Sequence, residues 1–184
     1  MRVIGGKLRG RPLRSPPGHT TRPTAARVRE ALFSILGDLD GCSVLDACAG
    51  TGALGIEALS RGARHVTFLD ADRSALTAIA GNLEALGLKG ASTLLPLKLE
   101  RASAALRRSA PFDLVLCDPP WPHADPIAAE LVRVLSQGLL APGARVVIGH
   151  RAELPVRCES ATLVLNERRR WGDSGLSFFD WLGE

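Results

Sequence analysis

Two groups of residues in the 184-residue chain carry chemistry by type and spacing. The first is Asp46-Ala47-Cys48-Ala49-Gly50-Thr51-Gly52-Ala53-Leu54-Gly55, in which residues 50–55 match GxGxxG, with Asp70 standing 20 residues after Gly50. Glycines in this pattern let a ligand approach the backbone, and an acid at that distance reaches ribose hydroxyls. NAD and S-adenosyl-L-methionine (SAM) sites share both features. Asp46 separates them. A pyrophosphate seeks bare amides at a helix N-terminus and is repelled by a nearby carboxylate. SAM carries a sulfonium and an ammonium against one carboxylate, so an acid there attracts it. The candidate cofactor residues are therefore Asp46, Ala49, Gly50, Thr51, Gly52, Asp70 and Ala71. Glu100 joins them as an acceptor for an adenine amino group. Each acid has a structural alternative: Asp46 as a loop cap, Asp70 as a solvated turn acid, and Glu100 as a helix-start acid favoured by the dipole. Asp72 reads as a solvated neighbour or a cap for the helix that begins at Arg73.

The second group is Asp118-Pro119-Pro120-Trp121. The prolines lack N–H groups and fix φ, so the turn is stiff and its carbonyls are free to face a substrate. An exocyclic amine on a nucleobase is a poor nucleophile because its lone pair is delocalised into the ring. The Asp118 carboxylate and the Pro119 carbonyl accept its two hydrogens and align that lone pair. The same oxygens stabilise the positive charge that develops on nitrogen as a methyl group arrives. Trp121 offers a stacking face worth roughly 1–3 kcal/mol, and a paired base must first be flipped out. The candidate catalytic residues are Asp118, Pro119, Pro120 and Trp121. The bland alternative is a structural Pro-Pro turn over a buried indole.

Alternating elements must position these groups. Apolar runs predict strands over 43–46, 65–69, 92–97, 113–117 and 145–149. Helical periodicity predicts helices over 53–60, 73–86, 101–108 and 127–137 between them. This alternation implies right-handed crossovers and a mostly parallel, doubly wound α/β sheet. Two further strands, 161–165 and 176–181, have no helix between them and read as an antiparallel C-terminal edge. Ahead of the sheet lies a short Gly-punctuated arm or hairpin over 2–14. A helix follows from a Thr24 cap to Gly37, with apolar positions Val28, Ala31, Leu32, Ile35 and Leu36. The expected organisation is one domain, 1–184: a basic extension and helix over 1–36, then a cofactor-binding catalytic core over 37–184.

Composition narrows the class. Hydrophobic residues are 46% and charged residues 23%, which suits a globular domain and excludes a disordered chain. No apolar stretch reaches the ~18 residues of a membrane span, and the N-terminus has no secretory pattern, so a cytoplasmic protein with no membrane partner is expected. Four cysteines and four histidines form no close ligand spacing, which argues for free thiols and no metal. The net charge is +4, yet residues 1–36 hold eight bases against one acid, a net +7, and the remainder is −3. Such asymmetry suggests a polyanion, with Arg9, Arg11, Arg22, Arg27 and Arg29 as candidate RNA contacts. Arg22, Arg27 and Arg29 are expected on or beside the helix face opposite the core. A second basic run, Arg168-Arg169-Arg170-Trp171, sits beside acids.

Several segments together resemble the RsmD family of bacterial 16S rRNA (guanine-N2) methyltransferases. They are Arg2-Val3-Ile4-Gly5-Gly6 with Arg9-Gly10-Arg11, and Arg22-Pro23-Thr24 with Arg27-Val28-Arg29-Glu30. Asp46 through Gly55 with Glu57-Ala58-Leu59-Ser60-Arg61-Gly62 and Asp118-Pro119-Pro120 complete the set. The resemblance implies a Rossmann-like SAM-dependent methyltransferase fold. It implies methyl transfer to the N2 amine of a guanine in 16S rRNA, as free RNA or in a small ribosomal subunit assembly intermediate, by a protein expected to be monomeric. Asp118, Pro119 and Pro120 would hold the amine, with Asp46, Gly50, Gly52 and Asp70 around SAM. Trp121 stands where the family pattern has Phe or Tyr, and Cys48 where a bulkier aromatic is common. Other readings of the residues remain open: an NAD-dependent oxidoreductase, a methyltransferase for DNA, other RNA or a protein amine, and a non-enzymatic RNA-binding assembly factor.

Overall fold

The computed structural model describes residues 1–16, 25–158 and 160–183. Its strands are β1 (Ser43–Ala47), β2 (His65–Asp70), β3 (Ser92–Pro96), β4 (Phe112–Cys117), β5 (Leu140–Arg151), β6 (Leu163–Trp171) and β7 (Ser174–Trp181). They form a single sheet in the order β3-β2-β1-β4-β5-β7-β6. The first five run parallel; β7 is antiparallel to both β5 and β6. The helices are α1 (Ala26–Leu36), α2 (Ala53–Ser60), α3 (Arg73–Ala85), α4 (Ser103–Leu106) and α5 (Ala124–Leu135).

Successive strand residues serve opposite faces, and the core divides accordingly. Val44, Phe68, Leu116 and Phe178 pack with Leu32 and Phe33 of α1, Ile56 of α2 and Ile79 of α3. Leu45, Val115, Val146 and Phe179 pack with Leu106 of α4 and Leu131 and Val134 of α5. Each such fully buried side chain contributes about 1.5–3 kcal/mol. Central strand β1 is buried at all five positions, as a parallel strand covered on both faces must be.

The structure moves some expected boundaries. The helix expected over 101–108 is a single α turn, Ser103–Leu106, after a 3-10 turn over Leu99–Arg101. Strand β5 begins at Leu140, before Pro142-Gly143, and absorbs that kink as a register shift against β4. The polar stretch 166–171, expected in a turn, is strand, and the hairpin turn is confined to Gly172-Asp173. An edge strand with exposed charges needs no apolar pattern, and those charges discourage edge-to-edge pairing.

The N-terminal arm closes on itself: the Val3 N–H donates to the Arg11 carbonyl and the Gly10 N–H to the Val3 carbonyl. It is then stapled to α2. Glu57, 0% exposed, accepts from the Ile4 N–H at 2.8 Å, the Gly5 N–H at 2.7 Å and the Arg61 guanidinium at 2.9 Å. The Ser60 hydroxyl donates to the Gly5 carbonyl and accepts from the Leu8 N–H. Gly6 permits this contact. Its φ is +73°, and a Cβ there would lie 1.9 Å from the Ser60 carbonyl oxygen. Further along the arm, Asn82 of α3 bonds both the N–H and the carbonyl of Arg14.

Arg29, expected on or beside the face of α1 opposite the core, is instead turned inward: it is 2% exposed, and its guanidinium donates to the Arg2 carbonyl. The buried stripe of α1 is Val28, Arg29, Leu32 and Phe33. The nearby Glu57 carboxylate favours the guanidinium's charge, while burial, the larger effect, lowers its pKa. Buried there, Arg29 presents no surface to a phosphate. Arg9, Arg11 and Arg27 are exposed. Arg22 and the Thr24 cap lie outside the described residues.

Candidate active site

The C-terminal ends of β1, β2 and β4 open on a cavity of about 760 Å³, the usual ligand position in an open parallel sheet. The loop after β1 forms one wall. Cys48, at φ +59°, and Gly50, at φ +56°, turn the chain sharply, and the Gly52 N–H closes the turn on the Ala49 carbonyl at 2.7 Å. Two carboxylates hold this loop from beneath. Asp70 accepts from the Gly50 N–H at 2.7 Å and the Asp72 N–H at 2.9 Å. Asp46 accepts from the Gly55 N–H at 2.8 Å. Asp46 is 1% exposed, and burial raises its carboxyl well above the usual range. The Gly55 bond opposes that shift, and the Asp70 and Asp118 charges add to it. Asp72 caps α3 by accepting from the Ser74 N–H.

The opposite wall is the corner after β4. Pro119 is buried, Pro120 exposed, and Asp118 and Trp121 intermediate. The Asp118 carboxylate lies against the backbone of β5: a Cβ built on Gly149 would sit 2.2 Å from its Oδ1. Next to Gly149, His150 is 2% exposed yet borders the cavity. Its Nδ1 faces the Arg151 carbonyl at 2.8 Å and its Nε2 the Ser177 hydroxyl at 2.9 Å. A carbonyl only accepts, so Nδ1 carries the proton and Nε2 accepts from Ser177. Burial, the leading effect, lowers the His150 pKa, in keeping with this neutral ring. Beneath both walls the buried Cys117 thiol is hydrogen-bonded to Cys48. That bond, then burial, raises its pKa well above the ordinary thiol value.

Of the expected site residues, Asp46, Ala49, Gly50, Thr51, Asp70, Ala71, Glu100, Asp118, Pro119, Pro120 and Trp121 all line this cavity. Gly52 does not. It packs toward Ile79 and Phe68 and serves the turn. The sequence reading missed Gly149 and His150, and missed that Ser174, Gly175 and Leu176 complete the rim. A glycine inside strand β5 was the available signal, since such glycines mark a close backbone approach.

The electrostatics of the lining are one-sided. Asp46, Asp70, Asp72, Glu100, Asp118 and Glu130 border the cavity, against Lys98 as the one lysine or arginine among the described lining residues; Glu130 is paired outside the lining with Arg133. Such a lining repels a pyrophosphate and attracts a cation. Among the described residues no group of three or more His, Cys, Asp or Glu side chains is placed to hold a metal ion. No described helix is long and apolar enough to cross a membrane.

This sheet order, with a glycine loop and an Asp-Pro-Pro corner facing each other across the strand ends, defines a Rossmann-like methyltransferase fold. A solved structure of Escherichia coli yhhF, described as a candidate methyltransferase, superposes with a TM-score of 0.84 at 29% identity, covering 100% of this chain and 99% of that one. The chain belongs to the RsmD family: the family profile described as "Conserved hypothetical protein 95" matches residues 1–180. It is 34% identical over 181 residues to Bacillus subtilis YlbH, named as a candidate rRNA methyltransferase, covering 97% of this chain and 98% of that protein. It is also 34% identical over 155 residues to ribosomal RNA small subunit methyltransferase D of E. coli K12, covering 83% and 76% respectively.

Proposed function

We propose that this protein is a SAM-dependent rRNA methyltransferase that methylates the exocyclic N2 amine of a guanine in small-subunit rRNA. The observation that carries the reading is the acidic cavity between the glycine loop and the Asp118-Pro119-Pro120 corner. Its charge suits a cationic methyl donor and disfavours the dinucleotide that GxGxxG alone would allow. The names of the relatives point to the same substrate class.

In this reading Asp70 and Glu100 hold the ribose and adenine ends of the cofactor, and Asp46 and the 49–51 backbone face its charged end. When bound, the cofactor supplies an electrophilic methyl group on a sulfonium centre. The Asp118 carboxylate and the Pro119 carbonyl accept the two amine hydrogens and turn the nitrogen lone pair toward that methyl. Trp121 stacks on the base. As positive charge grows on nitrogen, Asp118 stabilises it. The surplus proton leaves for solvent after transfer, so no strong base is required. The Arg9, Arg11 and Arg27 side chains, all exposed, hold phosphates outside the cavity.

The test is incubation with labelled SAM and unmethylated small-subunit particles or rRNA, followed by mass-spectrometric mapping of the product. The expected product is N2-methylguanine at a single position. Asp118→Ala should bind SAM as the wild type does and lose transfer by a factor of 10² or more. Wild-type turnover by that variant removes Asp118 from the chemistry, and methylation at any other atom overturns the N2 assignment.

A further inference from the structure

We propose that the end of the β6–β7 hairpin, carrying Arg169, Arg170 and Trp171, is a second RNA-docking surface that grips the strand on the far side of the cavity from the N-terminal arm. The inference rests on the rRNA reading above and extends it to residues that reading leaves unused. The register places this run beside the cavity wall. Arg169 pairs with Leu176, Arg170 with Gly175 and Trp171 with Ser174, and those three β7 residues form part of the rim. Adjacent strands lie about 4.8 Å apart, so the run is one strand-width from the opening.

Alternation then sends the side chains to both faces of the strand end. Trp171 is half-buried against the α1-side core, and Arg169 shares its face. Arg170 shares the other face with Arg168, whose guanidinium reaches the Val156 carbonyl. The Arg170 Nε donates to the Gly172 carbonyl at 3.0 Å, which fixes the side chain against the turn without neutralising it. Arg169 pairs with Glu167 but remains 55% exposed at the side chain. Cations interleaved with an aromatic face are what a single strand requires: phosphate neutralisation together with a stacking platform.

The cavity explains why such a surface is needed there. Its acidic lining admits a base but repels the phosphates on either side of it. Those phosphates must rest on the rim. The arm brings the exposed Arg14, whose backbone is held by Asn82 of α3, within two residues of Pro16 on the cavity wall. The β6–β7 hairpin provides cations beyond β5. A strand with one base inserted thus crosses the opening between two basic banks.

The experiment compares the wild type, Arg169→Ala/Arg170→Ala, and Arg64→Ala, which removes an exposed arginine just before β2, at the opposite end of the sheet. RNA binding and methyl transfer are measured separately on small-subunit rRNA over a series of salt concentrations, with SAM affinity and thermal midpoint as fold controls. The double variant should keep both controls and kcat, raise KM and the RNA Kd about tenfold, and flatten the log Kd against log salt slope by about 0.7 per lost phosphate contact, or about 1.4 in all. Arg64→Ala should match the wild type. A double variant whose Kd and salt slope equal those of Arg64→Ala overturns the inference. Should the double variant lose its fold controls, Arg170→Ala alone is read against half the slope change. RNA binding without methyl transfer, weakened in the variant, would refute the methyltransferase reading while leaving the surface. Absence of any RNA binding by the wild type refutes both.

Discussion

Gly149→Ala isolates the corner chemistry from the cofactor loop. Gly149 sits in β5 opposite Leu176, at a backbone conformation that any residue adopts, so the added methyl brings no φ strain. What it brings is a collision: the new Cβ would stand 2.2 Å from Asp118 Oδ1 and 3.0 Å from its Cγ. Ordinary contact begins near 3.4 Å, so the carboxylate must retreat by about 1.2 Å. A misplacement of about 1 Å at a reacting geometry costs on the order of 10²-fold in rate, equivalent to about 2.7 kcal/mol of barrier. The three atoms nearest the methyl all belong to Asp118 and not to the loop that holds the cofactor, so SAM affinity should be unchanged by calorimetry. Overpacking should lower stability by about 1–3 kcal/mol, visible as a modest fall in thermal midpoint. The assay is single-turnover transfer from labelled SAM to saturating RNA, which reads the chemical step without product release. Turnover within threefold of wild type would mean that the position of Asp118 does not govern transfer. An equal loss of SAM binding would mean that the corner and the cofactor loop are not separable.

Glu57→Ala should undock the arm. It strips the acceptor from Ile4, Gly5 and Arg61 and leaves buried Arg29 without its nearest counter-charge. A loss of about 3 kcal/mol or more is expected, with the Ile4 and Gly5 amides exchanging early in hydrogen-exchange mass spectrometry. Asp46→Asn should stabilise the ligand-free protein while weakening SAM binding about tenfold, measured by thermal unfolding and calorimetry. The pH dependence has a definite sign. Burial raises the folded carboxyl's pKa, so the folded state holds the proton more tightly than the unfolded state does. That contribution to stability is present below the unfolded carboxyl's pKa of about 3.9 and lost as pH rises through the folded value. The advantage of the Asn variant should therefore grow from acid toward neutral pH.

Much of the sheet and the two motif walls of the cavity were legible because both are written locally. Strands β1, β2 and β4 are short apolar runs. The glycine loop and the proline corner are contiguous motifs whose place at the strand ends follows from the alternation of elements. Residues whose role depends on distant partners were not legible. Periodicity along α1 selects Val28, Ala31, Leu32, Ile35 and Leu36, and nothing in that stripe turns Arg29 inward. It is turned by the Arg2 carbonyl and by Glu57, 28 residues further on. Glu57 itself sits in an apolar helix with no local sign that it faces an arm more than 50 residues earlier. His150 looked like one scattered histidine until β7 brought Ser177 against it. The length of β6 was hidden for the opposite reason: an edge strand that buries little shows no alternation to read.

The staple between the arm and α2 bears on the tempo of recognition. Basic tails that are loose in solution must surrender their freedom when they meet a polyanion, and that loss is charged against affinity. Here the chain settles the matter while folding, since Glu57, Ser60 and Asn82 have already fastened residues 4–14 in place. An incoming RNA meets a finished shoreline instead of a drifting rope. On the reading proposed above, residues 4–14 have no ordering cost left to meet when RNA arrives.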